Sequence, residues 1–153
     1  MAMKQIIVTA LLVLVCTGAK AQRELFDKYE DTKGVTTVFV SKAMLNLAGG
    51  LAAIGDKKIG KMAGKMDGIR ILNCERKSLI SEIKKAAQAI YSRDNYEEIM
   101  RVNEEGQRVV IYQRPLKGGK SEFALLTVEE NSLSIINING TITLEDMKQF
   151  TKD

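Results

Sequence analysis

The chain contains no histidine. The side chains left as candidates for chemistry are carboxylates, serines, lysines and two cysteines. A Ser-His-Asp or Cys-His arrangement is therefore excluded, as is zinc held by histidine. Glu97 and Glu98 are adjacent in a predicted strand, so their side chains point to opposite faces and cannot act as a pair. Ser78 precedes Lys84 near a predicted helix start, where capping explains the serine better than a Ser-Lys dyad does.

The stretch GDKKIGKM, at residues 55–62, nearly matches the phosphate-binding motif G-x-x-x-x-G-K-[ST]. That loop requires a preceding strand and a hydroxyl group that binds magnesium. Here a predicted helix precedes the loop, and Met62 replaces the hydroxyl. We therefore expect no nucleotide site, and the sequence predicts no cofactor and no metal centre.

The same region predicts a short basic amphipathic helix, because its lysines fall largely on one side and its apolar residues on the other. Two glycines weaken that helix by about 1 kcal/mol each relative to alanine. We predict that segment 56–67 is the most mobile part of the domain and its contact site. An ordinary solvated helix that closes over the sheet is the alternative. The predicted binding residues are Lys57, Lys58, Lys61 and Lys65.

The N-terminal sequence MAMKQIIVTALLVLVCTGAKAQ contains an apolar run from Ile6 to Cys16. A helix of that length reaches roughly 16 Å, about half of a bilayer core, and is too short to cross it. The pattern predicts a secretory signal over residues 1–21, cleaved between Ala21 and Gln22. Attachment of a lipid at Cys16 is the alternative, which Val15 disfavours because lipoprotein signals carry a small residue there.

Residues 22–153 remain after cleavage and suit one α+β domain that needs no disulfides. Loss of Lys4 and Lys20 lowers the formal net charge from +4 to +2, which is too mild to indicate nucleic-acid binding. Cys74 is then the only cysteine. Its position at the end of an apolar run predicts a half-buried, slow-reacting thiol rather than half of a disulfide.

The predicted elements follow the order helix, strand, helix pair, strand, helix, four strands and helix. Residues 35–40, VTTVFV, are almost wholly apolar and predict a strand covered on both faces. Ser41 can cap the next helix, and Thr143 begins a T-x-x-D capping box for the last one. Asn139-Gly140 between β-branched runs predicts a tight turn rather than a glycosylation acceptor. The short connections between the last four strands require antiparallel neighbours.

The resulting fold class is α+β, with a mixed sheet, a C-terminal four-strand antiparallel meander and helices packed on one face. The segments KMDGIRIL, YEEIMRVNEEG and INING resemble those of small exported domains of Bacteroidetes that form a domain-of-unknown-function family. The resemblance implies an envelope-facing accessory protein and brings no catalytic residues with it.

The sequence thus predicts a non-catalytic binding domain in the periplasm or at the outer membrane, without a transmembrane span. Its expected partner is an envelope protein or another envelope surface. A small periplasmic hydrolase that uses carboxylates or a Ser-Lys pair is the alternative.

Overall fold

The computed structural model describes residues 21–55 and 57–150. The helices are α1 (Ala21–Tyr29), α2 (Lys42–Gly55), α3 (Lys57–Lys65), α4 (Lys77–Arg93) and α5 (Leu144–Phe150). The strands are β1 (Val35–Ser41), β2 (Met66–Cys74), β3 (Glu97–Glu104), β4 (Gln107–Pro115), β5 (Ser121–Glu129) and β6 (Leu133–Gly140). The predicted signal, including Cys16, lies outside the described residues except for Ala21, and with Gln22 that residue opens α1.

The strands form one six-stranded sheet in the order β1-β2-β6-β5-β4-β3, and each neighbouring pair is antiparallel. This confirms the α+β class and the meander from β3 to β6. The prediction of a mixed sheet is wrong for two reasons. The α2–α3 pair returns the chain to the end of the sheet it left, so β2 runs antiparallel to β1. The single helix α4 then carries the chain to the far edge, so β3 is parallel to β2 but not its neighbour.

Helices cover both faces of the sheet. Side chains alternate along β5: Ala124 and Leu126 pack in a cluster with α1 and α4, whereas Phe123 and Leu125 pack in a second cluster with α2, α3 and α5. We call these the α4 face and the α5 face. The prediction of helices on one face is therefore wrong, and the reason is visible in the sequence, because central strands buried on both sides are apolar at nearly every position.

Strand β1 forms one edge of the sheet, since it pairs only with β2. Its Val38 and Phe39 side chains are 42% and 58% exposed. The prediction that this strand is covered on both faces is therefore wrong. An apolar run alone does not distinguish a central strand from an edge strand whose apolar side chains remain at the surface.

The predicted helix caps are confirmed. Ser41 Oγ accepts a hydrogen bond from the Met44 backbone N–H at 3.3 Å at the start of α2. At α5, Thr143 Oγ1 accepts from the Asp146 N–H at 3.2 Å, and the Asp146 carboxylate accepts from the Thr143 N–H at 2.9 Å. These reciprocal bonds satisfy N–H groups that a helix start otherwise leaves without acceptors.

The predicted tight turn at Asn139-Gly140 is wrong, because both residues belong to β6. Gly140 pairs with Met66 on one side and with Ser121 on the other. Its φ is 151°, and a Cβ atom there would overlap the carbonyl oxygen of Lys65 and lie 2.9 Å from Met66 Cα. Glycine is therefore required by the close approach of two backbones where α3 enters β2.

Candidate contact surface

The predicted basic segment forms α3, and its four lysines differ in what they contact. Lys57 and Lys58 lie in the first turn, and their side chains fall outside the described part of the structure. Lys61 is exposed. The Lys65 ammonium group instead binds the Asp146 carboxylate of α5, with Nζ–Oδ distances of 3.0 and 3.1 Å. The ion pair between Lys65 and Asp146 therefore connects α3 to α5.

The opposite side of α3 packs on the α5 face. Met62 is half-buried against that cluster, Ala63 is buried, and Met66, the first residue of β2, is buried within it. This arrangement agrees with the amphipathic pattern of the sequence. The mobility predicted for the segment stays a prediction, as does its role as a contact site.

A close contact joins α2 to α3. A Cβ atom on Gly49 would lie 3.1 Å from the Ala63 Cβ and 3.4 Å from the Gly60 carbonyl oxygen. Gly64 has open space around it. Small residues at Gly49 and Ala63 therefore let the two helices approach closely, and the pair forms a hairpin over the α5 face.

Large apolar side chains are exposed on α2. Met44 is 56% exposed and Leu47 is 61% exposed, whereas Leu45 between them is buried in the α5-face cluster. Exposed apolar side chains that lie near one another mark interaction surfaces more often than isolated ones do. We define the α2–α3 surface as Met44, Leu47 and Lys61. The predicted binding residues Lys57 and Lys58 belong to the same hairpin.

Two lysines from distant parts of the chain bind Asp67, the last residue of the predicted contact segment. Its carboxylate lies 2.7 Å from Lys120 Nζ and 3.1 Å from Lys42 Nζ. Hydrogen bonds from Lys120 and Lys42 hold the pKa of this carboxyl group below its usual value. Asp67 therefore connects the start of β2 to α2 and to the β4–β5 turn.

The residues that could have formed a Ser-Lys dyad do not meet. Ser78 and Lys84 both lie on α4, where their separation corresponds to about 9 Å along the axis and about 240° around it. Glu97 and Glu98 pair with Gln113 and Tyr112 respectively, so they lie on opposite faces of β3 as predicted. Within residues 21–55 and 57–150, no group of three or more Asp, Glu or Cys side chains is placed to hold a metal ion.

A polar cluster on the α4 face was not predicted. The Glu122 carboxylate accepts hydrogen bonds from the Tyr96 hydroxyl at 2.5 Å and from Arg114 Nη2 at 2.8 Å. Burial, followed by the hydrogen bond to Glu122, raises the pKa of Tyr96. Arg114 and Glu122 lie opposite each other beside the turn of the β4–β5 hairpin. Opposite charges flanking the turn PLKGGK were the sequence signal that could have identified this pair.

A family model described as a domain of unknown function, DUF4252, matches residues 29–150. The chain belongs to this DUF4252 family. The matched range runs from the last residue of α1 to the end of α5, so it includes the whole sheet and the α2–α3 surface. A search of curated proteins finds no significant match.

Among solved structures, the DUF4252 chain is similar to the crystal structure of PA94, a protein of unknown function from Pseudomonas aeruginosa. The identity is 12% and the TM-score is 0.32. The alignment covers 56% of this chain and 66% of that chain, just under two thirds of its length. Separately, the helices formed by the described residues of this chain are too short or too polar to cross a bilayer.

Proposed function

We propose that this DUF4252 domain is an exported, non-catalytic binding domain of the bacterial envelope that contacts an acidic envelope surface through its α2–α3 surface. One observation carries the proposal. Met44 and Leu47 are more than half exposed on α2, and Lys61 is exposed on α3 of the same helical hairpin. Exposed apolar side chains and a cation on one hairpin suit a partner that covers the former and carries negative charge opposite the latter.

The charge arrangement decides which variants test the proposal. Lys57, Lys58 and Lys61 are replaced with glutamine together, and Lys65 is kept because its ammonium group binds the Asp146 carboxylate. Replacing Lys65 would also break its ion pair with Asp146 and so mix a folding effect with a binding effect. The triple variant K57Q/K58Q/K61Q therefore reports on contact with the partner.

The experiment is cosedimentation of the purified domain with envelope fractions of the native host, at low and at raised salt. We expect K57Q/K58Q/K61Q to bind less than the unmodified domain and to lose most of the salt dependence. The matched control is K33Q/K77Q/K85Q, which removes the same charge from exposed positions away from the hairpin. Equal binding by the two triple variants would contradict the proposed surface.

The apolar part of the surface has its own test. Replacing Met44 and Leu47 with serine removes apolar area that is exposed in the domain, so the change should leave the fold intact. We expect this variant to cosediment less than the unmodified domain at every salt concentration, because the lost contribution is hydrophobic rather than ionic. Unaltered cosedimentation would show that Met44 and Leu47 of α2 do not take part in the contact.

Export is supported by the signal pattern of residues 1–21 and is tested by the intact mass of protein from the native host. We expect a species that begins at Gln22. An acylated species that begins at Cys16 would show a lipid-anchored protein instead.

Support for a non-catalytic role comes from the contacts of Glu122, one of the two most buried ion-paired carboxylates among the described residues. Glu122 is bound by Arg114 and Tyr96 on a face covered by helices, so it is engaged as an acceptor within the fold. A hydrolase assay with ester, peptide and glycoside substrates tests this. Activity that is lost in Glu122→Gln, in a folded variant, would establish the hydrolase alternative.

A further inference from the structure

A cavity of about 50 Å³ lies on the α4 face, between α4 and the strands β3, β4 and β5. Apolar side chains of β4 and β5, among them Val110, form part of its lining. On this measure a cavity needs about 10–15 Å³ to hold one water molecule, so this one has room for a single small group. Its polar lining consists of Lys84, Gln88, Arg101, Arg108 and Tyr112.

The sheet register and α4 bring these residues together. Arg101 of β3 lies opposite Val110 of β4, so both side chains are on the α4 face. Lys84 and Gln88 are four residues apart on α4 and therefore lie on the same side of that helix, above the cavity. Three cationic side chains thus line one small cavity.

One carboxylate lies beside the cavity. Glu98 accepts hydrogen bonds from Arg101 Nε at 2.6 Å and from Arg101 Nη2 at 2.7 Å. This pairing fixes the plane of the guanidinium group, which has five N–H donors, and leaves other donors available. With three cations and one carboxylate, the site keeps a net positive charge.

Arg108 has an unmet hydrogen-bonding requirement. Its Nε atom is buried and has no hydrogen-bond acceptor among the described residues. A buried donor without an acceptor is unfavourable, so an oxygen atom supplied by a ligand would be stabilised there. Burial, and then the negative charge of Glu98, raise the pKa of Tyr112, so its hydroxyl group stays protonated and can donate a hydrogen bond.

We propose that this cavity binds the phosphate group of a small molecule or of a lipid headgroup. Arginine side chains present several N–H groups in one plane, which matches the oxygens of a phosphate, and Lys84 adds a charge from the opposite wall. The site lies on the face opposite the α2–α3 hairpin, so it is independent of the proposed contact surface.

The test measures binding of inorganic phosphate to the full domain by calorimetry, at constant ionic strength maintained with chloride. We expect saturable binding that Arg108→Gln weakens by about tenfold or more. The matched control is Lys85→Gln, which removes one exposed charge next to Lys84 on α4 and should leave binding unchanged. Equal weakening by Arg108→Gln and Lys85→Gln would overturn the proposal, because it would show attraction to net charge alone.

A second binding measurement separates the two possible sources of the phosphate group. Neutral phosphatidylcholine vesicles with and without phosphatidic acid are compared by cosedimentation. Binding of inorganic phosphate indicates a free ligand, whereas Arg108-dependent binding only to vesicles with phosphatidic acid indicates a headgroup. Binding of neither, at phosphate concentrations up to roughly 10 mM, would overturn the proposal.

Two further variants keep the test interpretable. Circular dichroism establishes whether Arg108→Gln is folded, and if it is not, Lys84→Gln takes its place, since Lys84 is only half-buried. Unchanged phosphate binding by a folded Lys84→Gln would then overturn the proposal. The K57Q/K58Q/K61Q variant should bind phosphate normally, so a failure of the contact-surface proposal and a failure of this one give different results.

Discussion

Glu98 and Arg101 form a two-point hydrogen-bonded ion pair on the same face of the sheet, although they are three residues apart in one strand. A regular strand would place them on opposite faces. The register shifts between Glu98, which lies opposite Tyr112, and Met100, which lies opposite Ile111. This β-bulge inserts one residue and brings the Arg101 guanidinium group to the phosphate cavity.

The bulge leads to a prediction about ligand affinity. Glu98→Gln removes the negative charge beside the cavity, so phosphate should bind about three- to tenfold more tightly at low salt, with a smaller gain at high salt. The matched control is Glu97→Gln, which makes the same charge change on the opposite face of β3. Calorimetry checks both variants. Weaker binding by Glu98→Gln, or an equal gain in Glu97→Gln, would contradict the prediction.

The thiol of Cys74 should react slowly in the folded protein. Cys74 has no solvent exposure, is a free thiol, and donates a hydrogen bond from Sγ to the Arg76 carbonyl oxygen at 3.5 Å. The sequence predicted a half-buried residue, and burial is in fact complete. Labelling must therefore wait for opening of the fold, so it should be slower by on the order of a hundredfold or more than in denaturant. Equal rates, or a dimer lost on reduction, would contradict this.

Patterns within single segments predicted the local structure well. The caps at Ser41 and Thr143 and the amphipathic repeat of α4 involve residues that are close along the chain, so spacing alone determines which of them meet. The order of the strands depends instead on which part of the sheet the chain reaches after each helix. Neither the length nor the composition of α4 indicates that it carries the chain to the far edge of the sheet rather than to a strand beside β2.

The phosphate cavity could not be predicted, for the same physical reason. Lys84, Arg101 and Arg108 lie on three different elements. The sequence around each of them predicts only an ordinary solvated charge. Their meeting depends on the path of α4 and on the bulge in β3. No feature of YEEIMRV distinguishes a bulged strand from a regular one, so simple alternation would have assigned Arg101 to the wrong face.

The stability of the domain should depend on pH through Asp146. A backbone hydrogen bond from Thr143 is the main cause that lowers the pKa of this carboxyl group, and Lys65 lowers it further. Because the pKa is lower in the folded state, the charged carboxylate stabilises the fold above the usual value of 3.8. This contribution is lost as the pH falls below 3.8 and through the lowered pKa.

The variant Asp146→Asn tests this dependence. It should be less stable by about 1 kcal/mol at pH 7, because the α5 cap and the contact with Lys65 are weakened. The difference from the unmodified domain should narrow as the pH falls below 3.8. Urea denaturation at several pH values measures both effects, and the exposed Asp31→Asn is the control. A difference that stays constant with pH would contradict the assignment.

Two glycines near the start of β2 should respond to alanine in opposite directions. Gly140→Ala places a methyl group against the Lys65 carbonyl oxygen, and both groups belong to paired backbone that cannot move aside easily. We expect a loss of about 3 kcal/mol in the free energy of unfolding, measured by urea denaturation. A Cβ atom at Gly64 would have no neighbouring atom within 4 Å, and the glycine lies in a helix. Gly64→Ala should therefore raise the free energy of unfolding by about 0.5–1 kcal/mol. If Gly140→Ala unfolds at the same urea concentration as the unmodified domain, the close backbone approach between β6 and the end of α3 does not exist in solution.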